Sequence, residues 1–332
     1  MGEKEMAEQW IVGVDLGGTT TKVAFINMDG TIIQKWKIPT DNSAEGKFIT
    51  INIAKTIDQK LEELHTSKEK LIGLGMGAPG PIHYLSGMIL NAVNLGWRDN
   101  FPLQELLQEE TFLPAIIEND ANCAALGEMW KGAGNGSKDL VCVTLGTGVG
   151  GGVIVNGNII QGVNGAGGEI GHITAIPFGG HPCNCGKTGC LETVASATGI
   201  VRIAMSSLAQ ESTDGLLQDI FAEKGAITAK DVMDCARNED LLAQKVIDKI
   251  AVYLGLVLAN IANTLNPAKI VIGGGVSKAG DVLLKPVIAQ FEKFAFEPVR
   301  KSTEIALAAL GNDAGVIGAA WLVKNKLTKL NS

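Results

Sequence analysis

The sequence predicts an α/β protein made of two related halves, each opening on a β-hairpin with glycine at its tip. DLGGTTTK (residues 15–22) and LGTGVGGG (145–152) each set a glycine-rich turn between two strand-like runs. Behind each hairpin, short apolar runs alternate with segments of helical periodicity. No low-complexity linker interrupts the 332 residues, a length sufficient for two ordinary domains with substantial cores.

In chain order, the first strand spans Trp10 to Val14 and runs into DLGGTTT. KVAFINMDG is a second strand, closing at the hairpin-type turn Asp29-Gly30, and TIIQKWKIP is a third. Phe48, Ile49, Ile53, Ile57, Leu61 and Leu64 recur at helical spacing and predict a helix over 45–65. LIGLGMGAPG is a buried strand ending in a Gly/Pro loop, PAIIEN another strand, and a helix starts from Asp120. The second half repeats this opening: DLVCVTLGTGVGGGVIVNGNII is strand, glycine turn and strand, with a further hairpin at Asn156-Gly157. Residues 241–265 form a long helix ended by Asn266-Pro267, KIVIGGGVS is strand then glycine turn, and Asp313 to Leu330 is a final helix. The expected boundary lies near residue 118, with a small domain over 1–117 and a large one over 118–302.

Composition narrows the function. The 42 glycines follow no collagen period, so they serve tight turns and close backbone approach. A net charge of −7 argues against broad nucleic-acid or anionic-membrane binding, although backbone N–H groups can still hold a phosphorylated small molecule. MGEKEMAEQW lacks a signal-peptide pattern, and Met1-Gly2 is not followed by Ser or Thr at position 6, so myristoylation is not signalled. The apolar stretch Ile250 to Leu265 contains Asn260 and Asn263, is short for a membrane span and reads as a buried helix. A soluble cytoplasmic protein is expected. Six cysteines in this length do not make a disulfide scaffold, and the scattered Cys123, Cys142 and Cys235 read as small buried hydrophobes.

The paired glycine turns suit a phosphate clamp. Glycines let successive N–H groups converge on an anion, threonine hydroxyls add donors, and Asp15 at a strand end could hold Mg²⁺ through water. Gly146, Gly148 and Gly151 fit G-x-G-x-x-G, but GVIVNGNII follows as a hairpin where a Rossmann unit needs a helix. Gly186-Lys187-Thr188 fails as a Walker A loop because His181 stands where glycine is required.

Two further clusters carry chemistry. ENDAN (118–122) sits where a strand meets a helix; Asp120 either caps that helix or accepts an alcohol proton in phosphoryl transfer, and Asn119 offers an amide to a hydroxylated ligand. HPCNCGKTGCLE (181–192) packs Cys183, Cys185 and Cys190 into eight positions, with Gly186 and Gly189 letting the chain fold back. Three thiols and a histidine make a tetrahedral structural zinc site, and on spacing both His172 and His181 qualify as the fourth ligand. Glu169 and His172 of GGEIGHI are three apart and flanked by glycine, and Glu192 follows the last motif cysteine, Cys190, after one intervening residue.

DLGGTTTK, ENDAN, EIGH and CNCGKTGCLE, in this order over nearly the whole chain, resemble the ROK family of bacterial sugar kinases and repressors; GAPGP, AVNLGW and ENDANCAALGEMWKGAG are most similar to its Gram-positive glucokinase branch. The resemblance implies an actin-like fold of two RNase H-like domains around a cleft that closes to exclude water, with the C-terminal helix (about 303–332) returning to the first domain. It implies Asp120 as general base toward the 6-hydroxyl of glucose. Asn119, Glu169, His172, Glu192 and Gly80 of GAPGP would bind sugar. His172, Cys183, Cys185 and Cys190 would hold zinc, which selects His172 as the fourth ligand. ATP phosphates would meet Asp15, Gly17, Gly18, Thr19, Thr20 and Lys22 together with Gly146, Thr147 and Gly148. Adenosine would meet Gly273, Gly274 and Gly275, and Mg²⁺ would lie near Asp15. A homodimer is also implied. Kinases for fructose, mannose or N-acetyl-hexosamines keep the same motifs. A ROK repressor, which carries a helix-turn-helix ahead of the first phosphate motif, is not expected with nine residues before Trp10.

Overall fold

The computed structural model describes residues 8–98, 100–210 and 214–330, so the reading of the first seven residues and the last two residues of the expected closing helix lie outside it. The chain forms two compact units. The first holds the chain up to Gly136, the excursion Ile159–Gly167, and everything from Asn312 onward; the second holds Ser137–Asn158 and Gly168–Gly311.

In the first unit, β1 (Trp10–Leu16), β2 (Thr20–Asn27) and β3 (Ile32–Pro39) make an antiparallel meander. After α1 (Ile49–Glu63), β4 (Leu71–Ala78) pairs parallel with β1. The small β5 (Ile82–His83) and β6 (Met88–Ile89) hairpin and α2 (Leu103–Thr111) follow, then β7 (Ala115–Asn119), parallel to β4, and α3 (Asp120–Lys131). The sheet order is β3-β2-β1-β4-β7.

Alternation explains both faces. Val12, Val14, Leu74 and Met76 point to one side, where they form a core with Ile53 and Ile57 of α1 and Leu103 and Leu107 of α2. Gly13 and Gly75 occupy the other side, and a Cβ on either would overlap a carbonyl of the C-terminal helix, Val316 O and Ala319 O respectively. The glycine alternation in LIGLGMGA therefore brings helix backbone directly onto sheet.

The second unit repeats the plan. β8 (Leu140–Leu145), β9 (Val149–Val155) and β10 (Asn158–Ile159) open it. There follow α4 (Glu192–Ala195), α5 (Ala197–Gln210), α6 (Leu216–Lys224), α7 (Ala229–Arg237) and α8 (Leu241–Leu265). β11 (Lys269–Gly273) is parallel to β8 and to β12 (Glu304–Leu307), with α9 (Asp281–Phe294) and α10 (Glu297–Ser302) connecting them. The order β10-β9-β8-β11-β12 matches the first sheet position for position. α8 buries Ile250, Leu254, Val257 and Leu258 in this core and ends at Asn266 in the left-handed conformation before Pro267. No helix among the described residues is long and apolar enough to cross a membrane. Cys123, Cys142 and Cys235 are buried.

The expected boundary at 117/118 moves to Gly136. β7 completes the first sheet and α3 packs on α11 (Ala314–Leu330), so both belong to the first unit. Residues 159–167 leave the expected large domain for the same unit, and β12, inside the expected closing segment, stays in the second. The closing helix itself packs on β1, β4 and α3. The helix expected from residue 45 starts at Ile49, because Ala44, Glu45 and Gly46 all take positive φ in a separate tight turn.

Candidate active site

Parallel pairing of β1, β4 and β7 brings three loops to one edge of the first sheet: the hairpin tip after Asp15, the Gly80 loop and the Asn119-Asp120 junction. At the tip, the carbonyls of Gly17, Gly18 and Thr19 accept from Thr40 Oγ1 (2.7 Å), Asn42 Nδ2 (2.7 Å) and Thr40 N (3.0 Å). A trans peptide points its N–H opposite its carbonyl, so the N–H groups of Gly18, Thr19 and Thr20 face away from that segment. Successive outward N–H groups of this kind are able to meet an anion. Thr20 and Lys22 lie on β2; Lys22 Nζ is 2.7 Å from Asp15 Oδ2, both half-buried. Lys22 and Asp15 are thus paired across the first two strands.

At the β7–α3 junction the cap is Asn119, not Asp120. Asn119 Oδ1 accepts from Ala121 N (2.9 Å) and Asn122 N (3.2 Å), and its Nδ2 donates to Gly80 O (3.3 Å). Asp120 is the first helical residue, its Oδ1 accepting from Ala121 N at 2.9 Å. A carboxylate there sits in the favourable field of the helix N-terminus. Gly80, at φ 96°, comes so close to Asn91 O that a side chain would clash.

In the second unit, parallel β8 and β11 bring the Gly146–Gly148 tip and the Gly273–Gly275 turn to one edge. Beside them opens a cavity of about 580 Å³ lined by Gly146, Thr147, Thr228, Met233, Arg237 and Gly275, within the size range of small-molecule sites. Gly273 ends β11, and Gly274 (φ 85°) turns against Leu145. Sequence pattern does not single out the α7 residues of this wall, although T-A-K-D (228–231) is a capping-box signature that locates the helix.

The cysteine motif folds back as its glycines require, with Gly186 at φ 88° and Gly189 at φ 74°. The ligand atoms of His172, Cys183, Cys185 and Cys190 all lie within 4.8 Å of one another. His172 Nδ1 is 3.6 Å from Cys183 Sγ, and Cys185 and Cys190 Sγ are 3.6 Å apart. Tetrahedral zinc with bonds of about 2.0–2.3 Å sets its ligands roughly 3.5–3.8 Å apart, so this donor set fits. Exposed His181 instead bonds its own neighbour, Nδ1 to Pro182 O at 2.9 Å. Burial pushes the Cys190 thiol up to about 12, while the Lys187 backbone N–H holds Cys185 below the usual thiol range.

His172 Nε2 lies 4.0 Å from Glu169 Oε2. Glu192, at the start of α4, turns Oε2 to Val149 N (3.0 Å) and leaves Oε1 3.8 Å from Cys183 Sγ. It thereby ties the second hairpin tip to the cysteine loop. The cluster brings Glu169, His172 and Glu192 together within this unit. Asn119, Asp120 and Gly80 come together within the other. Glu118, the buried first residue of ENDAN, accepts three hydrogen bonds. Its signal in the sequence is a carboxylate at the end of an otherwise apolar strand.

The chain belongs to the ROK family, which it matches over residues 11–326. The glucokinase of Halalkalibacterium halodurans is 58% identical over 321 residues, 97% of each chain. That of Thermotoga maritima is 35% identical over 318 residues, 96% of this chain and 98% of its own. Among solved structures, a ROK family glucokinase from Streptomyces griseus in complex with glucose and AMPPNP is 32% identical with a TM-score of 0.77, covering 95% of this chain and 99% of that one. The duplicated sheets are those of the actin-like ATPase fold.

Proposed function

We propose that this protein is an ATP-dependent glucokinase that transfers the γ-phosphoryl group to the 6-hydroxyl of glucose. One observation carries the mechanism: Asp120 opens α3 at the same sheet edge as the phosphate-type hairpin tip, with Asn119 rather than Asp120 serving as the cap. The cap role falls to Asn119, and the Asp120 carboxylate, which accepts from Ala121 N, stands on the first helical turn. Asp120 accepts the hydroxyl proton as the sugar oxygen attacks phosphorus, and ADP leaves. Such transfers depend on positioning and charge neutralisation more than on covalent help from the protein.

Asn119, Gly80, Glu169, His172 and Glu192 hold the other sugar hydroxyls. The two hairpin tips hold phosphates through outward N–H groups, and the cavity beside Gly275 holds the nucleoside. His172, Cys183, Cys185 and Cys190 would hold a structural zinc, which would fix the orientation of the His172 ring whose Nε2 faces Glu169. Asp15 offers hard oxygen donors suited to Mg²⁺, which supplies screening of phosphate charge when bound. The enzyme acts in the cytoplasm, as a homodimer.

The test is a steady-state panel of glucose, fructose, mannose and N-acetylglucosamine, each with ATP, ADP and polyphosphate. Glucose with ATP gives the highest kcat/KM. A strong preference for another hexose or donor contradicts the assignment.

A further inference from the structure

Glu118 is 4% exposed, and among the described residues no cation pairs with it. A buried carboxylate is costly unless several donors satisfy it. Here the donors are neutral and come from three places. Oε1 accepts from Asn119 N at 2.8 Å and Asn122 Nδ2 at 3.0 Å; Oε2 accepts from Gln161 Nε2 at 2.5 Å. Asn122 gives its amide donor to Glu118 although its own buried Oδ1 then lacks a protein partner.

Each bond fixes something beside the base. Asn119 N belongs to the residue whose side chain caps α3 and reaches Gly80, and Asp120 is the next residue. Asn122 lies on the first turn of the same helix. Gln161 lies on the excursion Ile159–Gly167, which joins the first unit there and at Gly165, whose Cα packs against Ile82 O. Gly167 N also donates to Gln161 O at 2.8 Å, so the anchor reaches the last residue of the excursion, two positions before Glu169.

We propose that Glu118 and Gln161 are positioning residues for phosphoryl transfer: their hydrogen bond locks Asn119-Asp120 in the geometry that receives sugar. The inference rests on the proposed glucokinase reading. Neither residue touches the reacting atoms. Their contribution acts through Asn119-Asp120, where a displacement of about 1 Å can cost on the order of 10²-fold in rate.

The experiment compares wild type, Asp120→Asn, Gln161→Leu and the exchanged pair Glu118→Gln/Gln161→Glu. Gln161→Leu removes the donor at a half-buried position. The exchanged pair restores it in reverse: the amide at 118 keeps an acceptor for Asn119 N and Asn122 Nδ2, and donates to the new carboxylate at 161. We expect Gln161→Leu to lose on the order of tenfold or more in kcat/KM for glucose, with the KM for ATP and ATP-analogue binding unchanged. The exchanged pair should recover most of that loss. Unchanged glucose constants in Gln161→Leu, an equal loss toward ATP, or no recovery in a folded exchanged pair would each overturn the proposal. Because wild type and Asp120→Asn are measured in the same assay, loss of glucose turnover in the latter keeps the glucokinase reading standing when the inference fails.

Discussion

His172 has two ring nitrogens, and each has a different neighbour: Nδ1 the Cys183 sulfur, Nε2 the Glu169 carboxylate. A metal on the first nitrogen orients the second. The spacing of the cysteines leaves His172 and His181 equally placed; the family resemblance points to His172, and the 4.8 Å cluster includes His172 and not His181. Metal analysis should find one zinc per chain, and Cys183→Ser should lose it and raise the glucose KM by roughly tenfold or more. A metal-free enzyme of full activity would discredit the site. The Cys190 thiol, raised to about 12, is protonated at neutral pH without metal. Zinc must displace that proton, so zinc affinity falls as pH falls.

Helix α7 forms one wall of the cavity proposed for the nucleoside and is started by a complete capping box. Asp231 N donates to Thr228 Oγ1 at 3.1 Å, and Thr228 N donates to Asp231 Oδ2 at 2.8 Å. The Thr228 hydroxyl and N–H together hold the Asp231 carboxyl below its ordinary range. A depressed carboxyl stabilises the fold above its unfolded pKa, and that contribution disappears as pH falls through the lowered folded value. Thr228→Ala should cost about 1 kcal/mol of stability and raise the KM for ATP while leaving that for glucose near wild type. An unchanged ATP KM measured beside an altered glucose KM would remove α7 from the nucleotide wall. Neighbouring turns differ in how far pattern reveals them. The capping box is readable from T-A-K-D, whereas the left-handed turn Ala44-Glu45-Gly46 is not, because only glycine among the three favours positive φ.

The duplicated sheet order was legible because each half spells strand, glycine tip and strand in the same sequence, and the C-terminal edges of parallel strands then collect the loops. The boundary was not legible. A β7–α3 connection reads as the start of something new, yet β7 is the edge partner of β4, and Gly127 and Gly318 let α3 and α11 meet backbone to backbone. Those glycines have no turn signature; their meaning is a distance to a helix nearly two hundred residues away. Likewise, ENDAN marks a junction but cannot show that Asn119 caps, that Glu118 is buried, or that Gln161 comes from far along the chain to meet it. The central claim is that Asp120 takes the sugar proton. Its most direct test measures glucose binding by calorimetry and phosphoryl transfer from ATP in Asp120→Asn. The account predicts glucose affinity close to wild type with transfer reduced by on the order of 10² or more; near-normal turnover would contradict it.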